Sequence, residues 1–92
     1  MAANPNTFPQ LLDTLTEVLY DDEKSSRYDS HTILSALALT TLETITGIAQ
    51  TGGPDTAVIH RTMQRLAEQF GQALRESAEV NFHELYGGHK GH

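Results

Sequence analysis

The chain contains no cysteine and no tryptophan, and its 92 residues include only three phenylalanines and three prolines. Without cysteine the protein has no disulfide framework, no thiolate zinc site, no iron–sulfur cluster and no cysteine nucleophile. Cationic residues are also scarce, because six Lys and Arg stand against twelve Asp and Glu, for a formal net charge of −6. This charge balance argues against direct nucleic-acid binding, which requires cations to displace counterions from phosphate.

Two further absences bear on the cellular compartment. The first ten residues have no basic region and no apolar core, so they do not form a secretory signal, and we expect a cytoplasmic protein. The most apolar stretch, residues 33–49, contains Glu43 and several threonines. A membrane span needs ~20 mostly apolar residues, and a central carboxylate in it costs a few kcal/mol. We therefore expect no membrane association and interpret this stretch as a buried helix.

The first two predicted helices follow from hydrophobic periodicity. Residues 7–21 carry an apolar stripe at helical spacing, with Asn6 or Thr7 as the N-cap and Pro9 in the first turn. A second helix is predicted over residues 31–50, with Asp29 or Ser30 as its cap. Its wide apolar arc indicates burial on two sides. The polar residues between the two helices are interpreted as a linker that extends the first helix by up to a turn.

The third predicted helix, residues 55–85, is the longest and follows a Gly-Gly-Pro stop signal, with Asp55 or Gly53 as its cap. One face carries a heptad seam, which we take as the oligomer interface: Ile59, Met63, Leu66, Phe70, Ala73, Val80. Beside it runs a second stripe of His60, Ala67, Gly71, Leu74, Ala78 and Leu85. A glycine in the middle of such a stripe lets a neighbouring backbone approach closely.

The helix lengths predict assembly. At ~1.5 Å per residue the third helix is about 45 Å long, so a three-helix bundle from one chain would leave its end uncovered. Small domains bury a modest share of their surface, and twofold association is the commonest oligomer. We predict an all-α fold of three helices with a long third helix, assembled as a homodimeric bundle. Residues 1–88 then form one domain with a Gly/His tail at 89–92. The alternative is a monomer whose third helix breaks at Gly71.

The C-terminal residues suggest a metal site. Neutral imidazoles and carboxylates bind Ni, Zn or Cu, and four such ligands lie close in sequence, namely Glu79, His83, His89 and His92. Glu79 and His83 are four residues apart and share one side of a helix. Binding to them would weaken as the histidines protonate near about pH 6. The spacing matches no closed zinc motif, however, so we expect a solvated tail and no cofactor, with the metal site as the alternative.

No catalytic constellation is present in the sequence. Gly-x-Ser-x-Gly, a P-loop and the Glu-x-x-His motif of carboxylate di-metal bundles are all missing. We therefore expect a small non-enzymatic interaction protein, a regulator, adaptor or accessory subunit, which forms homo-oligomers and binds an unidentified protein partner. A metal-binding accessory protein is the first alternative. An acidic inhibitor that mimics nucleic acid is the second, based on the acidic residues Asp21, Asp22, Glu23 and Asp29.

Overall fold

The structure, a computed structural model, describes residues 3–87 and is all-α over that range. Helix α1 comprises Phe8–Leu19, α2 comprises Ser30–Gln50 and α3 comprises Thr56–Tyr86. These 12, 21 and 31 residues confirm the prediction of three helices with a long third one. In particular, α3 is continuous through Gly71, which excludes the alternative of a helix broken there.

The chain divides into two compact units, Met1–Thr40 and Thr41–His92. The division falls inside α2, so that this one helix contributes to both units. All of α3 belongs to the second unit, together with the C-terminal half of α2 and the loop between them.

The start of α1 differs from its prediction. Thr7 occupies the N-cap position but makes no side-chain capping bond. Instead the Asn4 carbonyl oxygen accepts hydrogen bonds from the backbone N–H groups of Thr7 and Phe8, at 3.2 and 2.9 Å. The Asn4 side chain also accepts one from the Asn6 N–H. Thr7 is therefore the N-cap residue as predicted, but a backbone turn and not its side chain accepts from the first N–H groups.

The segment after α1 is an ordered turn and not an extension of the helix. An isolated antiparallel bridge joins Tyr20 to Ser26, and Lys24 has φ 64°. Asp21 Oδ1 accepts from the N–H groups of Glu23 and Ser25, at 3.0 and 2.9 Å. Four hydrogen bonds made by Asp21, two of its backbone and two of its carboxylate, thus reverse the chain, and α1 ends at Leu19 before the predicted boundary.

Helix α2 begins at the predicted Asp29 cap, whose Oδ2 accepts from the N–H groups of His31 and Thr32. Its interior contains many threonines, and their hydroxyls find partners within the helix. Thr40 and Thr46 donate to the carbonyl oxygens of Ala36 and Leu42, each at 2.8 Å. This bonding to the preceding turn is how a threonine-rich sequence satisfies its polar atoms inside a helix.

Burial of α2 is much less than the sequence predicts. Among residues 3–87 the buried hydrophobic side chains are Ile33, Ile45 and Ala49, all on this helix, whereas Leu34 and Leu39 are about 60% exposed. The prediction of burial on two sides is wrong because no described segment covers the rest of the arc. Helix α2 is also long and apolar enough to cross a membrane, with a mean hydropathy of 1.4. The core helices of soluble proteins meet the same criteria of length and composition.

The loop between α2 and α3 follows the predicted stop signal. Gly53 has φ 122°, a conformation that side-chain-bearing residues rarely adopt. Asp55 then caps α3, because its Oδ1 accepts from the Ala57 N–H at 2.9 Å. A connection this short favours antiparallel neighbours within the second unit.

Candidate functional site

The predicted seam on α3 divides into two parts that differ in exposure. Ile59, Met63, Leu66 and Phe70 are half-buried, as is Thr62 on the same side of the helix. On α2, Ile45 and Ala49 are the buried residues of the same compact unit. The N-terminal part of the seam therefore has cover within the chain. As an interface between chains, the seam stays a prediction.

The C-terminal part of α3 lacks that cover. Ala73 and Val80, the last two predicted interface residues, are exposed. The other large apolar side chains beyond Phe70 are exposed as well, namely Leu74, Phe82, Leu85 and Tyr86. Helix α3 has 31 residues and α2 has 21, so α2 is too short to cover α3 along its length.

An aromatic pair within this exposed part was not singled out by the sequence analysis. The rings of Phe82 and Tyr86 lie one helical turn apart, with centroids 5.2 Å apart and an interplanar angle of 41°. The side chains of residues at i and i+4 meet on a helix surface, and this spacing was the signal that would have identified them. Paired aromatic rings that stay more than half exposed are typical anchors of protein interfaces.

Gly71 makes a notch in the same helix. A Cβ placed on it would meet no atom within 4 Å, so the glycine is not required by packing inside the chain. Gly71 is one of the residues that line an open depression of about 860 Å³, and the other lining residues all belong to α3 as well, including Ala67, Gln72 and Arg75. A small-molecule site encloses most of its ligand, whereas a depression on one helix surface is open to a neighbouring helix.

Two of the four predicted metal ligands lie in the described range and come together. Glu79 Oε1 and His83 Nε2 are 3.5 Å apart on the exposed surface of α3. The His83 ring also lies against Gly87, where a Cβ would stand 2.9 Å from Nδ1. His89 and His92 lie outside the described residues. Within residues 3–87, no three His, Cys, Asp or Glu side chains are grouped closely enough to hold a metal ion.

The acidic segment has a structural role that the sequence analysis did not foresee. Asp21 organises the turn after α1, and Asp29 caps α2. Arg27 donates from Nε to the Tyr20 carbonyl oxygen at 3.0 Å. Two of the four carboxylates proposed to imitate nucleic acid are therefore engaged with backbone N–H groups.

The apolar stripe of α1 forms another exposed surface. Its described members Phe8, Leu11, Leu12, Leu15 and Val18 are all exposed, and no residue of α1 is buried. This sequence pattern is the one expected of a helix with one apolar face, but no segment of residues 3–87 buries that face.

Comparison with known proteins gives no further guide to the site. The chain matches no family model, no curated protein and no solved structure.

Proposed function

We propose that this protein is a small, non-enzymatic helical interaction protein, a regulator, adaptor or accessory subunit of the cytoplasm. It associates with itself and presents helix faces to an unidentified protein partner. The observation that carries this proposal is the exposure of apolar helix faces in residues 3–87, where only three hydrophobic side chains are buried. Contiguous exposed apolar patches on soluble chains mark surfaces that bind other proteins.

Two apolar surfaces serve the proposed contacts. The C-terminal part of α3 is the surface for self-association, since its large apolar side chains beyond the half-buried Phe70 are exposed, among them Leu74 and Leu85. The exposed stripe of α1 is then free for a second protein. Neither surface carries enough cationic charge to favour nucleic acid as the partner.

Light scattering of the untagged chain tests the self-association. We expect a mass of twice one chain at micromolar concentration, and a single-chain mass for Leu74→Asp. Leu74 is 56% exposed, so the substitution leaves folding of the single chain intact. Gln69→Asp, on the opposite side of α3, is the matched control and should stay dimeric.

Phe70→Asp should also dissociate the dimer, but Phe70 is half-buried and this variant is judged together with its circular dichroism. A wild-type chain of single mass would remove self-association from the proposal. A dimer that survives both Leu74→Asp and Phe70→Asp would place the interface away from this part of α3.

A second candidate function, metal binding by an accessory protein, is favoured by the 3.5 Å approach of Glu79 to His83. Calorimetric titration with Ni, Zn and Cu tests it on the full chain and on a chain ending at Gly87. Stoichiometric, submicromolar binding that is lost in the shorter chain and in His83→Gln, but kept in His60→Gln, would support it. Weak binding without defined stoichiometry would exclude it.

A further inference from the structure

We propose that two copies of this chain pair through their α3 helices in antiparallel orientation, using the face beside the seam, with the twofold axis near Glu76. This proposal rests on the self-association proposed above and specifies its geometry. The surface concerned, here called the pairing stripe, consists of Ala67, Gly71, Leu74, Ala78, Phe82 and Leu85.

The pairing stripe is separate from the face that the chain itself covers. Ala67 and Gly71 each follow a half-buried seam residue, Leu66 and Phe70, by one position. One residue is about 100° around a helix, so the stripe looks away from the side that the seam uses. Its large members, Leu74, Phe82 and Leu85, are all more than half exposed.

The order of large and small residues along the stripe favours a second copy as its occupant. In an antiparallel pair centred near residue 76, Ala67 lies opposite Leu85 of the second copy, and Leu74 lies opposite its Ala78. The notch at Gly71, open within the chain, lies opposite the Phe82 ring of the second copy. Facing surfaces that alternate large and small side chains interdigitate well.

A parallel pair would lose this match. Each residue would then face the same residue of the second copy, so that glycine meets glycine, alanine meets alanine and the two Phe82 rings collide. Small residues facing each other leave voids, and voids cost stability. The antiparallel orientation is therefore the one that the sequence of the stripe fits.

Charges beside the stripe agree with the same orientation. Arg75 and Glu79 lie on one flank of the stripe, one turn apart. Side chains on the same flank meet in an antiparallel pair, so Arg75 of each copy comes near Glu79 of the other. The twofold axis produces this contact twice. A parallel pair would instead place the two copies of this flank on opposite sides of the pair, so that Arg75 would not meet Glu79 of the other copy.

The contact between the two α3 helices would be long. Ala67 and Leu85 are 18 positions apart, which is about 27 Å, or five turns of helix. The Phe82–Tyr86 ring pair lies at each end of the contact and supplies aromatic anchors of the kind that dominate interface energies.

Single cysteines test the orientation directly, because the natural chain has none. Chains carrying Ala67→Cys are mixed with chains carrying Leu85→Cys and oxidised. We expect the mixed disulfide and little disulfide in either variant alone, since like positions lie about 27 Å apart in the antiparallel pair. The control mixture of Gln69→Cys with Leu85→Cys places one cysteine on the opposite face and should not cross-link.

A matched pair of glycine substitutions tests the notch. Gly47 in α2 and Gly71 in α3 both lie inside helices, and a Cβ on either meets nothing within 4 Å. Gly71→Leu should raise the dissociation constant of the dimer about tenfold by overfilling the interface. Gly47→Leu should leave that constant unchanged.

The outcomes separate this geometry from the proposed function. A dimer in which Leu85→Cys cross-links to itself is parallel, and a dimer with no cross-link in any mixture pairs elsewhere. Either result, or equal effects of Gly71→Leu and Gly47→Leu, overturns the pairing stripe but leaves self-association standing. A single-chain mass for the wild type overturns both.

Discussion

The two parts of α3 belong to one unbroken helix and share a heptad pattern, yet they differ in what covers them. Up to Phe70 the seam is half-buried in a unit that also contains the C-terminal half of α2. From Ala73 to Tyr86 the apolar residues are exposed. Hydrophobic periodicity thus predicts one apolar face along the whole of α3, but it does not say which part of that face the chain itself covers.

The largest expected effect concerns the C-terminal half of α2, which covers the N-terminal part of α3. Ile45→Ala should lower the free energy of unfolding by about 2–4 kcal/mol, because a buried side chain is lost and a cavity remains. Ile48→Ala, the same change at a half-exposed site three residues on, should cost about 1 kcal/mol or less. Urea unfolding at submicromolar concentration measures both. Equal costs would mean that the C-terminal half of α2 does not cover α3.

The same substitution in the two parts of α3 gives the next largest contrast. Leu66→Ala removes a half-buried side chain and should cost about 1–2 kcal/mol of folding stability. Leu85→Ala removes an exposed one and should change stability by about 0.5 kcal/mol or less in the single chain. At high concentration Leu85→Ala should weaken dimerisation. If Leu85→Ala lowers folding stability more than Leu66→Ala at low protein concentration, the C-terminal part of α3 is covered by the chain itself, contrary to this comparison.

The start of the covered part can be tested through its cap. Asp55→Ala should lower stability by about 1 kcal/mol, since the Ala57 N–H loses its acceptor. Thr7→Ala at the matching position of α1 should change stability little, because Thr7 makes no side-chain capping bond. Thermal unfolding monitored by circular dichroism reports both. A Thr7→Ala loss as large as that of Asp55→Ala would contradict the assigned caps.

The smallest effect lies where the two parts of α3 meet. Gly71→Ala should raise the stability of the single chain by about 0.5–1 kcal/mol, because the helix gains propensity and the Cβ meets nothing. Gly53→Ala should instead destabilise it, since φ 122° is strained for any side chain. Chemical unfolding of dilute protein gives the two signs, and a destabilising Gly71→Ala would show that the notch is already filled within the chain.

The all-α class, the order of the helices and the side chains that cap α2 and α3 could be predicted from the sequence. Asp29 and Asp55 were identifiable because a carboxylate before an apolar run satisfies free N–H groups by purely local bonds. The acceptor at the start of α1 was not, since it is the backbone carbonyl of Asn4, and a backbone oxygen leaves no mark in the sequence.

Burial was the quantity that the sequence predicted least well. A wide apolar arc on α2 indicated cover on two sides, whereas Leu34 and Leu39 are exposed in the chain. Periodicity shows which residues share an apolar face of a helix, but it does not show whether another segment of the chain covers that face. The Phe82–Tyr86 pair was missed for a different reason, because Phe82 lies at the outer edge of the second stripe and Tyr86 lies outside both stripes.

The internal bonding of the α2 threonines has a consequence for how polar that helix is. Hydrophobicity scales assign each threonine a free-energy cost for removing its hydroxyl from water. The hydroxyls of Thr40 and Thr46, however, already donate to the carbonyl oxygens of Ala36 and Leu42. If an apolar surface were to cover α2, these two hydroxyl protons would lose no hydrogen bond to water, because they already donate within the helix. The surface of α2 is therefore more hydrophobic than its amino-acid composition indicates.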